Sequence, residues 1–99
     1  MKTIPTQIKV GGHWLKIKFR NRHEHNFEKA SSINCSTGTI LLNESLSPSK
    51  KWSCLIHEII HELDWQLDLD MTENQISAIA EGIFQVLTDN NLWNVEKEG

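Results

Sequence analysis

The 99-residue chain has no apolar run approaching the length of a membrane span, no internal repeat and no low-complexity tract. It has only two cysteines, Cys35 and Cys54, and no CxxC pairing, so neither a disulfide scaffold nor a four-cysteine metal ribbon can be built from it. In a reducing compartment these read as two free, packed thiols. It also lacks a basic excess: 10 Lys and Arg stand against 13 Asp and Glu, for a net charge of −3. The basic residues group only briefly, at Lys16, Lys18, Arg20 and Arg22, which excludes the electrostatic footprint of a dedicated nucleic-acid binder. The first residues contain no apolar core of a leader peptide, so a cytoplasmic protein with no membrane association is expected.

What is present is enough to fold. Apolar residues make up 38% of the chain and charged residues 23%, and four Trp and three Phe supply large apolar surfaces. The length fits one compact domain spanning 1–99, short enough to gain stability from a bound metal.

Strand and helix periods divide the chain near residue 43. Gln7 to Val10 and His13 to Arg20 alternate, with Leu15, Ile17 and Phe19 set against Trp14, Lys16 and Lys18, and Gly11-Gly12 forms a turn between them. A second hairpin is expected from Ser32 to Ser36, a turn at Thr37-Gly38, and Thr39 to Asn43. Residues 21–30 show no period. After Ser47-Pro48, a cap followed by proline at the first helical position, Trp52, Leu55, Ile56, Ile59, Ile60, Leu63 and Leu67 recur at helical spacing. This predicts a helix over about 48–67. A second helix is expected over about 72–89, with Ile76, Ile79, Ala80, Ile83, Val86 and Leu87 on its apolar side. The fold class expected is α+β, a small, mainly antiparallel sheet over 6–43 packed on two helices.

Residues 57 to 61 read His-Glu-Ile-Ile-His, an HExxH match in the middle of the first helix. A spacing of four places both imidazoles on one face, one turn apart, where their nitrogens can converge on one ion. Glu58 projects beside that ion as a general base without being a ligand, while Ile59 and Ile60 are expected to turn together into the core. Zinc held in this way lowers the pKa of a water to about 7 and polarises a carbonyl. A third protein ligand is needed. Glu81, 20 positions after His61 on a helix folded back against the first, is the favoured candidate; Glu73, nearer the apolar stripe on the helical wheel, is its rival.

The HExxH motif followed by Glu81, with Ile83, Val86 and Leu87 behind it, resembles the gluzincin arrangement of thermolysin-like peptidases. Those families place an Asp four residues after the ligand Glu; here that position is Gln85, which can accept a ring N–H but carries no charge. The small size and the order of short sheet, motif helix and closing helix are more similar to minimal zincins: ImmA/IrrE-like and SprT-like cores and compact phage-borne metallopeptidases. The segments 57–65 and 69–82 carry this likeness, which covers roughly 33–91. It implies a hydrolase that cleaves peptide bonds, with Zn2+ as cofactor, a peptide or protein as substrate, and no nucleic-acid partner. A zinc-stabilised binding or regulatory module without proteolysis is the alternative. The sequence fixes neither oligomeric state nor substrate.

Other residues have weaker claims. Cys54, three positions before His57, offers a thiolate ligand at a long reach, against a buried thiol. His23 and His25, either side of Glu24, suit oxyanion stabilisation or plain solvation. His13 is expected to be exposed. Trp65 would wall the site and Asp64 would bond a ligand imidazole, against ordinary packing for both. Thr39 to Asn43 would bind substrate as an added strand if it lay at a sheet edge.

Overall fold

A computed structural model describes residues 3–21 and 30–92. Four strands and two helices follow in the order β1 (Gln7–Val10), β2 (His13–Arg20), β3 (Ser31–Asn34), β4 (Thr39–Asn43), α1 (Pro48–Leu67) and α2 (Glu73–Asp89). This is a small α+β fold. The β1–β2 register pairs Val10 with His13 across Gly11 and Gly12, which take φ of 58° and 87°, a region open to glycine at little cost. Gly11 also has a packing reason: a Cβ there would collide with Oε1 of Gln66.

The sheet order is β1-β2-β4-β3, with both hairpins antiparallel and β2 parallel to β4 from Lys16↔Thr39 to Arg20↔Asn43. The sheet is mainly antiparallel, as expected, and the one parallel pairing, β2 with β4, makes it mixed. The second hairpin docks with its returning strand inward. Ile40 and Leu42 on β4 are then fully buried, so the more apolar strand takes the interior place. Thr39 to Asn43 consequently has neighbours on both sides and cannot receive a substrate strand; β1 and β3 lie at the edges among the described residues.

Helix α1 opens on Ser47, whose side chain accepts the Lys50 N–H, with Pro48 at its start, and ends at Asp68 in a left-handed conformation. Its apolar residues divide between two surfaces. Leu55, helped by Ile59, joins Val10, Leu15, Ile17, Ile40 and Leu42 in the sheet-side core. Ile56 and Ile60 meet Ile76 and Ala80 of α2 in a second core. Ile59 and Ile60 thus point to different layers, because a 100° step separates neighbours and both surfaces of α1 are covered.

Helix α2 begins with a capping box, Thr72 and Gln75 each bonding the other's backbone N–H. It packs on α1 rather than on the sheet, forming a third layer. One neighbour covers less than its whole apolar side. Ile76 and Ala80 are buried, but Ile79, Ile83 and Val86, expected to face inward, are 44%, 40% and 55% exposed. No helix among the described residues is long and apolar enough to cross a membrane.

Candidate metal centre

The α1 face turned toward α2 carries both motif imidazoles, with ring centroids 4.9 Å apart. One turn of helix accounts for that spacing. Between them lies the Glu73 carboxylate, its Oε1 2.8 Å from His57 Nε2 and its Oε2 2.9 Å from His61 Nε2. His57, His61 and Glu73 form a group that can hold a metal ion, with one donor atom from each lying within 4.8 Å of the others.

Glu73 arrives there because the connection between the helices is tightly fixed. Asp64 Oδ1 accepts the Met71 N–H at 2.9 Å, and the Asp64 carbonyl accepts from Leu69 at 3.2 Å. Asp68 and Asp70 both adopt left-handed conformations, φ 52° and 58°, which turn the chain through the five-residue gap between the helices. Thr72 then caps α2, and Glu73 occupies its first turn, where a carboxylate also meets the positive end of the helix dipole. Asp64 therefore bonds the connecting backbone and not a ligand imidazole.

The carboxylate gathered to the imidazoles is Glu73, not Glu81. Eight residues further along α2, about 12 Å at 1.5 Å per residue, Glu81 is exposed, and its Oε1 lies 3.5 Å from the Ser53 hydroxyl. Glu73 lies on the wheel between Ile76, Ala80 and Phe84, the residues that face α1. That angle was the usable signal, and the motif-like spacing to Glu81 outweighed it. Gln85, exposed on α2, does not take part in the group.

Glu58 is 5% exposed, and its Oε2 accepts the Ser31 hydroxyl at 2.5 Å. Ser31 heads the edge strand β3, so the sheet orients this carboxylate while α1 carries it. A cleft of about 350 Å³ adjoins it, lined by Ser31, Cys54, His57, Glu58, Ser77 and Glu81 among others. Cys54 borders this cleft without joining the His57–His61–Glu73 group. Burial pushes its thiol up, opposed by a hydrogen bond with Ser31. Trp65 is 60% exposed and lines a different cleft, as does the exposed His13. His23, Glu24 and His25 lie outside the described residues.

Two imidazoles and a carboxylate are a donor set that zinc accepts. Tetrahedral ligands about 2.0–2.1 Å from zinc stand about 3.4 Å apart. The present contacts of 2.8 and 2.9 Å would have to open by about half an ångström, within the reach of an exposed Glu side chain. Comparison with protein-family models, with curated proteins and with solved structures gave no match to this chain.

Proposed function

We propose that this chain is a zinc-dependent peptidase in which His57, His61 and Glu73 hold the ion and Glu58 is the general base. The observation that carries the reading is the meeting of both HExxH imidazoles with a carboxylate from the next helix, beside a cleft that Glu58 borders. Zinc bound there would supply a Lewis acid that polarises a peptide carbonyl and acidifies water.

The chain's own residues supply the rest. Glu58 takes a proton from the attacking water and returns it to the leaving amine, the shuttle that a carboxylate fixed at one oxygen and free at the other can perform. Ser31 occupies Oε2, which leaves Oε1 for that exchange and holds the carboxylate at one angle. Small side chains, Ser31, Ser53, Ser77, Ala30 and Ala80, leave room in the cleft for a peptide backbone.

A second reading draws on the same burial. Glu58 at 5% exposure, already bonded to Ser31, also suits a zinc-stabilised binding module in which the carboxylate is structural. The test is a cleavage comparison on a complex peptide mixture, using zinc-loaded wild type and Glu58→Gln. The peptidase reading expects cleavage by wild type alone, with zinc retained in both. Zinc retained in both and cleavage by neither selects the binding module, and a wild type that holds no zinc removes both readings.

A further inference from the structure

On the same helix, one turn after Glu58, stands a second buried carboxylate that the proposed chemistry does not use. Glu62 is 3% exposed. Gln66 Nε2 donates to its Oε2 at 2.7 Å and also to the Val10 carbonyl at 2.9 Å, so this amide group is fully engaged. Among the described residues, Glu62 Oε1 has no hydrogen-bond partner of ordinary geometry. A buried acceptor left this way costs its desolvation, more when charged, and calls for a donor from outside the chain or for strain held in the fold.

The surroundings say which kind of donor. Glu62 underlies a cleft of about 320 Å³, bordered by Leu15, Cys35, Thr37, Gly38, Trp65 and Gln66 among others. No Lys or Arg is among the lining residues, and the basic side chain that borders the cleft is the exposed His13. Burial, a hydrogen bond to the Glu62 carboxylate and the charges of Glu62, Glu58 and Asp64 push the Cys35 thiol up to about 11, so it adds no charge of its own. Trp65, 60% exposed, stands at this cleft with an indole free to stack on a ligand. A negative floor beside an indole is the combination that recognises organic cations.

We propose that this cleft binds an organic cation, the primary ammonium of a lysine side chain or of a free diamine, with the Glu62 carboxylate beneath it and the Trp65 indole beside it. An ammonium brings three donors, one for Oε1, and its charge pairs with the carboxylate. The alkyl stem lies along Trp65. This site is separate from the metal centre, on the sheet side of α1, and stands whether or not the peptidase reading does.

The test is a nuclear magnetic resonance titration of the full 15N-labelled chain at neutral pH and low salt, following the Trp65 indole N–H and the Gln66 side-chain amide. The probes are Nα-acetyl-lysine methylamide, putrescine, and the uncharged Nα-acetyl-norleucine methylamide. Saturable shifts with the cations and none with the norleucine compound are expected, with binding weakened at least about tenfold by Glu62→Gln. A stronger response to the lysine compound identifies a polypeptide side chain as the source, and a stronger response to putrescine a free amine. Absence of saturable shifts, equal shifts with norleucine, or undiminished binding by Glu62→Gln overturns the proposal. If Glu62→Gln does not fold, Trp65→Leu at its exposed position serves instead, and wild-type affinity in that variant overturns it too.

Discussion

Glu58 and Glu62 make a comparison within one helix: both project toward the sheet from α1, four residues apart, and both are at least 95% buried. Their neighbours separate them. Glu58 is bonded by a hydroxyl from the edge strand β3 and opens onto the cleft shared with His57. Glu62 is bonded by Gln66 of its own helix, which in turn is tied to the end of β1, and opens onto a cleft that holds no metal-ligating partner close enough to complete a cluster. Identical chemistry one turn apart is thus assigned to different surfaces by what the sheet places opposite each residue.

The largest expected effect that would sharpen this contrast is catalytic. Under the peptidase reading, Glu58→Gln lowers kcat by about 10²–10⁴-fold, whereas Glu62→Gln keeps zinc and changes kcat by much less. Equal losses in the two variants, measured on the same peptide mixture, would break the distinction. Next is the metal itself. Chelator competition is expected to find Glu73→Gln at least about tenfold weaker for zinc, with Glu81→Gln close to wild type; the reverse order would return Glu81 to the ligand set.

Stability differences are smaller and separate the two anchors. Ser31→Ala removes a hydrogen bond to a buried carboxylate and is expected to cost about 1.5–3 kcal/mol in urea unfolding. Gly11→Ala acts on the other carboxylate, forcing a left-handed Ala and pushing Gln66 off Glu62. A cost of about 1–2 kcal/mol is expected from the backbone conformation alone. Asp64→Ala should loosen the connection that delivers Glu73 and weaken zinc binding, and Asp64→Asn, which keeps the acceptor oxygen, should restore it.

The smallest effect is a pH dependence at the Glu62 cleft. Its Cys35 thiol moves from an ordinary 9.0 to about 11 in the folded chain, so between these values the native state holds a proton that the unfolded chain releases. The corresponding stability is complete below about 9 and is lost as pH rises through about 11. Thermal unfolding of Cys35→Ala across that window should decline less steeply than wild type; an unchanged slope would remove the thiol from the explanation.

Much of this architecture was legible from local signals. The Gly-Gly turn, the alternation of β2, the Ser47-Pro48 start and the Thr72 cap are all short-range, and they fall where the sequence places them. The parallel pairing of β2 with β4 was not legible, because it depends on how two hairpins dock across residues with no period of their own. Within the site, the imidazoles follow from a spacing of four on one helix. The choice between Glu73 and Glu81 depends on how α2 is set against α1: the helical-wheel angle favours Glu73, but the Asp64 contact to Met71 that fixes the docking lies outside any spacing rule. The Glu62 cleft is assembled from β2, the β3–β4 turn and α1, so no contiguous motif announces it.

Among the described residues the outer helix packs chiefly on α1, and the carboxylate it contributes sits in its first turn. An ion gripped by His57, His61 and Glu73 would therefore act as a rivet between two layers. Loading and the docking of α2 become one coupled equilibrium, in which each tenfold rise in free zinc above its dissociation constant tightens the outer layer by about 1.4 kcal/mol.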